Sequence, residues 1–184
     1  MSIGTWHVNF VHPDESYQAP TELYEEAKKL LEQIGWMGTE FQEGNGLWAS
    51  FNPNEVDLPI NARDGGRAGY VEFDFRVQRF DKPMPEEQHD VQRYCKACGA
   101  LVVTRAVCSQ CGVEEDPAEW NIGPPVTLYT RSFEIGFTFN GGPDLCVESD
   151  EVIETKLREQ LKDILDELEG AVGTRFVMKK YSSE

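Results

Sequence analysis

The sequence predicts an α+β fold in which two helices pack on one face of a mostly antiparallel sheet. Two long segments, residues 71–77 and 126–139, alternate apolar and polar side chains with a period of two. This period is typical of antiparallel strands with one buried face. Two other segments, beginning near Pro20 and near Asp150, carry apolar residues at helical spacing. Packing both helices on the apolar faces of the strands would bury all of these surfaces.

The first predicted elements are a strand over residues 5–11 and a helix over residues 20–35. The apolar face of the strand is formed by alternate residues, Trp6, Val8 and Phe10. The helix begins at Pro20 and Thr21 and ends at Gly35, because glycine adopts the left-handed conformation that closes many helices. A tight turn at residues 43–46 then joins two short strands, over residues 39–42 and 47–51.

The C-terminal part of the chain is predicted to form one long helix and a last strand. Ser149 or Asp150 can cap the start of the helix, and Gly170 closes it. Its apolar stripe is continuous and consists of Ile153, Leu157, Leu161, Ile164, Leu165 and Leu168. The strand follows over residues 174–181, where Phe176 and Met178 alternate with Arg175 and Val177.

The segment between the two long strands, Asp81 to Pro125, is predicted to be an insertion at the tip of a hairpin. Prolines stand near both of its ends, where they favour loop structure. We therefore expect an α+β body made of residues 1–80 and 126–184, and an inserted module at residues 81–125 with acidic linkers. A loop over residues 52–67, with the Asp64-Gly65-Gly66 cluster, precedes the first long strand.

The insertion contains two Cys-x-x-Cys-Gly motifs, at residues 95–99 and 108–112. A tight turn aims both sulfurs of a motif at one point, and the glycine permits the positive φ that turns backbone N–H groups toward them. Four thiolates at this spacing predict a tetrahedral site for one Zn²⁺ per chain. The predicted ligands are Cys95, Cys98, Cys108 and Cys111. Four protein ligands leave no open coordination position, so the metal is expected to be structural.

Two other uses of the four cysteines are open on the sequence alone. Redox dithiols or disulfides would require a secretory or thioredoxin-like context, which the sequence lacks. An iron–sulfur cluster can also be held by four thiolates. The matched spacing and the two following glycines favour zinc.

Residues 93–113 resemble a zinc ribbon, and the two Cys-x-x-Cys-Gly pairs carry the resemblance. Zinc ribbons are common on nucleic-acid machines, so the resemblance implies nucleic-acid contact as a candidate function. The basic residues Arg93, Lys96 and Arg105 agree with it in part. However, Zn²⁺ with four thiolates carries about −2, which leaves the module with too little positive charge for an ordinary DNA-binding site. A structural or protein-docking ribbon is the expectation.

The charge of the whole chain points to a basic protein partner. The chain of 184 residues has 33 acidic and 17 basic side chains, which gives a formal net charge of −16. Such a charge opposes non-specific binding to nucleic acid and attracts basic surfaces. We therefore predict a non-enzymatic zinc-binding protein of the immunity, inhibitor or adaptor type. An accessory factor that contacts nucleic acid or its machinery through the ribbon is the alternative.

Catalytic signatures are missing from the sequence, and no catalytic or cofactor-binding residue is assigned. The chain has no P-loop, no Rossmann glycine pattern, no G-x-S-x-G and no H-E-x-x-H, although an enzyme with an unrecognised site remains an alternative. Cys146 is expected to be a small buried hydrophobe, and His7 and His12 are expected to be solvated. Arg131 and Glu134 are expected among solvated charge pairs on the polar face of the long strands.

The sequence also predicts a cytoplasmic protein without a membrane segment. No apolar run approaches the ~20 residues that span a bilayer, and residues 1–10 lack the features of a signal peptide. The oligomeric state is not predicted.

Overall fold

The computed structural model of the chain describes eight stretches of sequence, residues 4–36, 38–43, 46–51, 73–88, 93–102, 107–114, 121–141 and 149–183. In chain order their elements are β1 (Gly4–Val11), α1 (Thr21–Gln33), β2 (Gly38–Glu43), β3 (Gly46–Phe51), β4 (Phe73–Gln88), β5 (Arg93–Tyr94), β6 (Leu101–Val102), β7 (Asn121–Ile122), β8 (Val126–Gly141), α2 (Asp150–Gln160), α3 (Lys162–Val172) and β9 (Val177–Ser183). The chain divides into two compact units, residues 1–84 with 130–184, and residues 85–129.

Six strands form one sheet in the order β2-β3-β4-β8-β1-β9. Strand β1 pairs antiparallel with β8 and β9, and β3 pairs antiparallel with β2 and β4. Phe10 of β1 thereby lies between Ile135 of β8 and Met178 of β9. The α+β class and the antiparallel sheet predicted from the sequence are confirmed.

The helices pack on one face of this sheet and form a single core with it. The strands contribute alternate residues to the core, including Val8 and Phe10 of β1, which are fully buried. Phe75 of β4 packs edge-on against Phe137 of β8, with ring centroids 4.7 Å apart. The helices contribute a buried stripe, Leu23, Tyr24, Ala27 and Leu31 from α1 and Ile153, Leu157, Ile164, Leu165 and Leu168 from α2 and α3. Burial of these stripes against the strands is what positions the helices.

The first helix ends as the sequence predicts. Gly35 has a φ of 89°, and its N–H donates to the carbonyl oxygen of Glu32. The N–H of Trp36 reaches back to the carbonyl of Leu31, so the last carbonyls of α1 find donors. The predicted hairpin is also present, because Glu43 of β2 pairs with Gly46 of β3.

The prediction of one long C-terminal helix is wrong, since two helices, α2 and α3, meet at Leu161. Ser149 caps α2 as predicted, with its hydroxyl accepting from the N–H of Val152. Helix α3 continues past Gly170 to Val172, and Gly173 with a φ of 74° closes it instead. The following strand begins at Val177 rather than at residue 174.

An ion pair shows that the helix is not straight. Nη1 of Arg158 in α2 lies 2.8 Å from a carboxylate oxygen of Glu169 in α3. In a straight helix their Cα atoms would be about 16.5 Å apart along the axis, which is beyond the combined reach of the two side chains. The chain therefore bends between them, at Leu161 (φ −97°, ψ 13°).

The first long strand is longer than predicted, because β4 continues beyond Asp81 to Gln88. The pairing of β4 with β3 ends at Phe80. Pro83 and Pro85 therefore fall in a stretch that β3 does not accompany, and prolines within sheets are largely confined to strands with an open edge.

The prediction of solvated charges at Arg131 and Glu134 is also wrong, since these residues are only 7% and 8% exposed. Nε of Arg131 lies 2.9 Å from a carboxylate oxygen of Glu134, and its Nη1 donates to the carbonyl of Met84. The guanidinium also stacks over the ring of Phe80. Such partners offset the cost of removing both charges from water.

Some predictions fall outside the described residues, namely the loop at 52–67, Arg105 and Cys146. Within the described part of the chain, no helix is long and apolar enough to cross a membrane.

Candidate metal centre

The four cysteines of the two motifs come together in the second unit, and their sulfurs all lie within 4.8 Å of one another. The Sγ atoms of Cys95 and Cys111 are 3.6 Å apart, and those of Cys98 and Cys108 are 3.7 Å apart. A tetrahedron with metal–sulfur bonds of about 2.3 Å has sulfur–sulfur edges of about 3.8 Å, whereas a disulfide bond measures about 2.05 Å. The sulfurs therefore have the spacing of ligands around one tetrahedral ion.

Each motif folds into the same hydrogen-bonded turn. In the first, the N–H of Cys95 donates to the carbonyl of Ala100 over 2.9 Å, and the N–H of Gly99 donates to the carbonyl of Cys95 over 2.8 Å. The second motif repeats both bonds, from Cys108 to Val113 and from Gly112 to Cys108. The two glycines have φ values of 73° and 71°, which residues with a Cβ rarely adopt. The glycine after each motif is thus a requirement of the turn.

The strand pairs beside the motifs repeat as well. Tyr94 pairs with Leu101 around the first motif, and Val107 pairs with Glu114 around the second, so both pairs are related by a shift of 13 residues. Strand β5 also pairs with β7, which gives a three-stranded sheet in the order β6-β5-β7. Apart from the cysteines and glycines, residues 94–101 and 107–114 have different side chains. The sequence alone therefore does not show that the strand pairing is repeated.

The two cysteines of each motif differ in exposure. Cys95 and Cys108, the first of each motif, are 0% and 1% exposed, whereas Cys98 and Cys111 are exposed to solvent. With Ala100 and Val113, the two buried cysteines form a small hydrophobic cluster. Cys95 and Cys108 thus belong both to this hydrophobic cluster and to the candidate metal site.

The pKa values of two of the clustered thiols are shifted in opposite directions. The N–H groups of Cys111 and Gln110 lower the pKa of Cys108 to about 7. The N–H of Val113 also lowers the pKa of Cys111, but loss of water and the three neighbouring sulfurs outweigh it and raise that pKa to about 12. Four sulfurs this close do not all ionise without a cation, and a divalent metal is the charge that would stabilise them as thiolates.

The four sulfur donors restrict which metal ions fit the site. Four thiolates in a tetrahedron suit a single soft or borderline ion. An iron–sulfur cluster places several irons and bridging sulfides between the cysteines and needs wider sulfur separations than 3.6 and 3.7 Å. The described geometry fits one ion.

Two histidines singled out from the sequence have contacts of their own. Nδ1 of His7 lies 3.2 Å from the hydroxyl of Thr138, and its ring stacks on that of Tyr181, so His7 is half-buried rather than freely solvated. The ring of His12 stacks on that of Tyr17. Near the motifs, Lys96 is exposed and Arg93 is half-buried.

Helices α2 and α3 line a groove of about 620 Å³. The charged residues that line the groove are Glu151, Glu154, Arg158, Glu159, Lys162, Asp166, Glu169 and Arg175. Arg158 forms ion pairs with Glu154 and Glu169, and Lys162 forms one with Asp166. Along the same helices Glu159, Asp163 and Glu167 are exposed.

No family model, curated protein or solved structure matches this chain. Its function therefore has to follow from the chemistry of its own residues.

Proposed function

We propose that the chain binds one structural Zn²⁺ through Cys95, Cys98, Cys108 and Cys111, and that it is a non-enzymatic protein whose acidic surface binds a basic protein partner. The observation that carries the proposal is the cluster of four sulfurs within 4.8 Å of one another. Four sulfur donors complete a tetrahedral shell and leave no position for a substrate or an activated water. The metal's role is then to hold the second unit together.

Zinc is the metal that this environment favours. Zn²⁺ accepts tetrahedral thiolate coordination without a change of redox state. The only hydrophobic cluster described in the second unit consists of the two buried cysteines, Ala100 and Val113, which is too small to stabilise a fold alone. Metal binding contributes roughly 10–16 kcal/mol of apparent folding free energy in zinc-finger peptides, and this is the size of contribution the unit requires.

Titration with Co²⁺ tests the metal site, because tetrahedral thiolate coordination gives cobalt strong visible and near-ultraviolet absorption. We expect saturation at one Co²⁺ per chain and displacement by one Zn²⁺. Cys98→Ser should weaken binding strongly because it removes one of four ligands. Cys146→Ser removes the fifth thiol of the chain and should leave binding unchanged. Equal loss in both variants, or a titration without thiolate bands, would contradict the site.

The basic partner is supported by where the negative charge lies. Glu159, Asp163 and Glu167 are exposed along α2 and α3. Of the three, only Asp163 is described beside a basic side chain, Lys162, whose ion pair is with Asp166. Exposed charge of one sign accelerates encounter with a surface of the opposite sign and makes binding dependent on salt. The partner's chemistry is therefore a cluster of lysine and arginine side chains.

Affinity isolation of partners from the source cells, at low and at high salt, tests this part of the proposal. We expect one basic protein to be recovered and its recovery to fall as salt rises. The triple variant Glu159→Gln, Asp163→Asn, Glu167→Gln should reduce recovery more than a control that removes the same charge elsewhere, Glu15→Gln, Glu22→Gln, Glu32→Gln. Equal effects would exclude the helix surface, and recovery of nucleic acid alone would exclude a protein partner.

A further inference from the structure

We propose that the cysteine cluster is also a modification site for hydrogen peroxide, at which Cys98 and Cys111 are oxidised first and form disulfides with Cys108 and Cys95. The inference rests on the proposed zinc site and adds a second chemistry to the same four sulfurs. Its product is a pair of disulfides between the two motifs, together with a released metal ion.

The arrangement of exposed and buried sulfurs carries the inference. The Sγ contact of 3.7 Å joins exposed Cys98 to buried Cys108, and the contact of 3.6 Å joins exposed Cys111 to buried Cys95. Each contact therefore joins the exposed cysteine of one motif to the buried cysteine of the other. Peroxide-sensitive sites commonly have this composition, an accessible sulfur beside a second cysteine that resolves the oxidised one.

The chemistry balances with hydrogen peroxide as the oxidant. The thiolate of Cys98 attacks one peroxide oxygen and breaks the O–O bond, which forms a sulfenic acid and releases hydroxide. The thiolate of Cys108 then attacks the sulfenic sulfur, which forms the disulfide and expels a second hydroxide. The same two steps join Cys111 to Cys95. In total four thiolates lose four electrons, two peroxides gain four, and four hydroxides and one Zn²⁺ are released.

Zinc release and thiol loss can be followed together on the full-length protein. Its zinc content is measured first, then peroxide is added in the presence of a colorimetric zinc indicator. We expect one zinc to be released and four thiols to be lost for two peroxides consumed, and a thiol reductant with added zinc should restore both. Cys146→Ser, which lacks the fifth thiol, should behave in the same way. Zinc retained under peroxide, or zinc released with sulfinic acids and no disulfide, would overturn the inference.

Digestion with trypsin distinguishes disulfides between the motifs from disulfides within them. Trypsin cleaves after Lys96 and Arg105 and so places Cys95, Cys98 and the second motif on three different peptides. The expected product joins three peptides, residues 94–96, 97–105 and 106–131. Fragmentation of the last peptide between Cys108 and Cys111 assigns each partner. Disulfides within the motifs would instead join 94–96 to 97–105 and leave 106–131 separate, which would overturn the pairing.

The order of measurement separates this inference from the proposed function. Absence of zinc before peroxide is added would be a failure of the zinc site itself. A protein that carries one zinc and keeps it under peroxide would leave the zinc site intact and refute the modification site.

Discussion

Gly136 of β8 is a position where the sheet leaves no room for a side chain. A Cβ at this residue would lie 2.2 Å from the carbonyl oxygen of Val8 and 2.4 Å from Oδ1 of Asn9. Asn9 faces Gly136 across the pairing of β1 with β8 and is 6% exposed. The side chain of Asn9 thus fills the space that a Cβ would need.

We expect Gly136→Ala to lower the free energy of unfolding by about 1–3 kcal/mol, because the central strands would have to move apart. Gly170→Ala is the matched control. A Cβ there meets nothing within 4 Å on helix α3, so the change should raise stability by roughly 0.5–1 kcal/mol. Urea unfolding measures both. Equal shifts in the two variants would contradict the close approach at Asn9.

Tyr24 makes stability depend on pH in the alkaline range. Burial, followed by the nearby Glu40 carboxylate, raises the pKa of the Tyr24 hydroxyl well above its ordinary value. A group with a raised pKa in the folded state contributes stability below its unfolded pKa, about 10, and loses this contribution as the pH rises above that value. Stability should therefore fall above about pH 10, and Tyr24→Phe should make the fall shallower. The free energy of unfolding of the two proteins is measured from pH 8 to 11, and an equal fall in both would refute this role of Tyr24.

At the scale of elements, Arg158 joins three parts of the C-terminal region. Its guanidinium donates to Glu154 on its own helix, to Glu169 on α3 and to the carbonyl of Phe176, just before β9. Its planar group also stacks over the ring of Phe10. The bend between α2 and α3 is therefore fixed by a side chain with several partners.

We expect Arg158→Ala to cost about 1–3 kcal/mol of stability, because each of three partly buried acceptors loses a donor. Arg158→Lys should restore little of the lost stability, since an ammonium group cannot bond these three acceptors in one plane. Lys162→Ala is the control, because its pair with Asp166 is more than half exposed and such pairs contribute at most ~1 kcal/mol. Urea midpoints for the three variants measure the difference, and equal losses at both positions would contradict the account.

These elements also show what the sequence could predict. Local signals were sufficient for the ends of α1, the cap at Ser149 and the turns at Cys95 and Cys108, since each depends on residues within a few positions. The contact described across the break between α2 and α3 joins Arg158 to Glu169, eleven residues away, and the apolar stripe runs through the break without interruption. The burial of Arg131 likewise depends on the carbonyl of Met84 in another strand. Contacts between distant segments leave no periodic pattern in the sequence.

At the scale of the whole molecule, the two units differ in what stabilises them. Among the described residues, the first has a core of twenty buried residues, whereas the cluster in the second contains two buried cysteines and two partly buried residues. Removal of the metal should therefore affect the second unit far more than the first.

A zinc chelator should accelerate tryptic cleavage at Lys96 and Arg105 by orders of magnitude, because the metal contributes roughly 10–16 kcal/mol in comparable small modules. The first unit should keep its resistance, since its core does not include the sulfurs. Peptide mapping over time measures both units in one digestion. Unchanged cleavage at Lys96 and Arg105 after complete zinc removal would mean that the second unit folds without its metal.

The most direct test of the central claim is the zinc content of the intact protein, measured by native mass spectrometry after expression with ample zinc. The account predicts one zinc per chain, and its loss in the double variant Cys98→Ser, Cys111→Ser but not in Cys146→Ser. A folded protein with its native cysteines and no bound metal would contradict the account, as would a double variant that retains one zinc per chain.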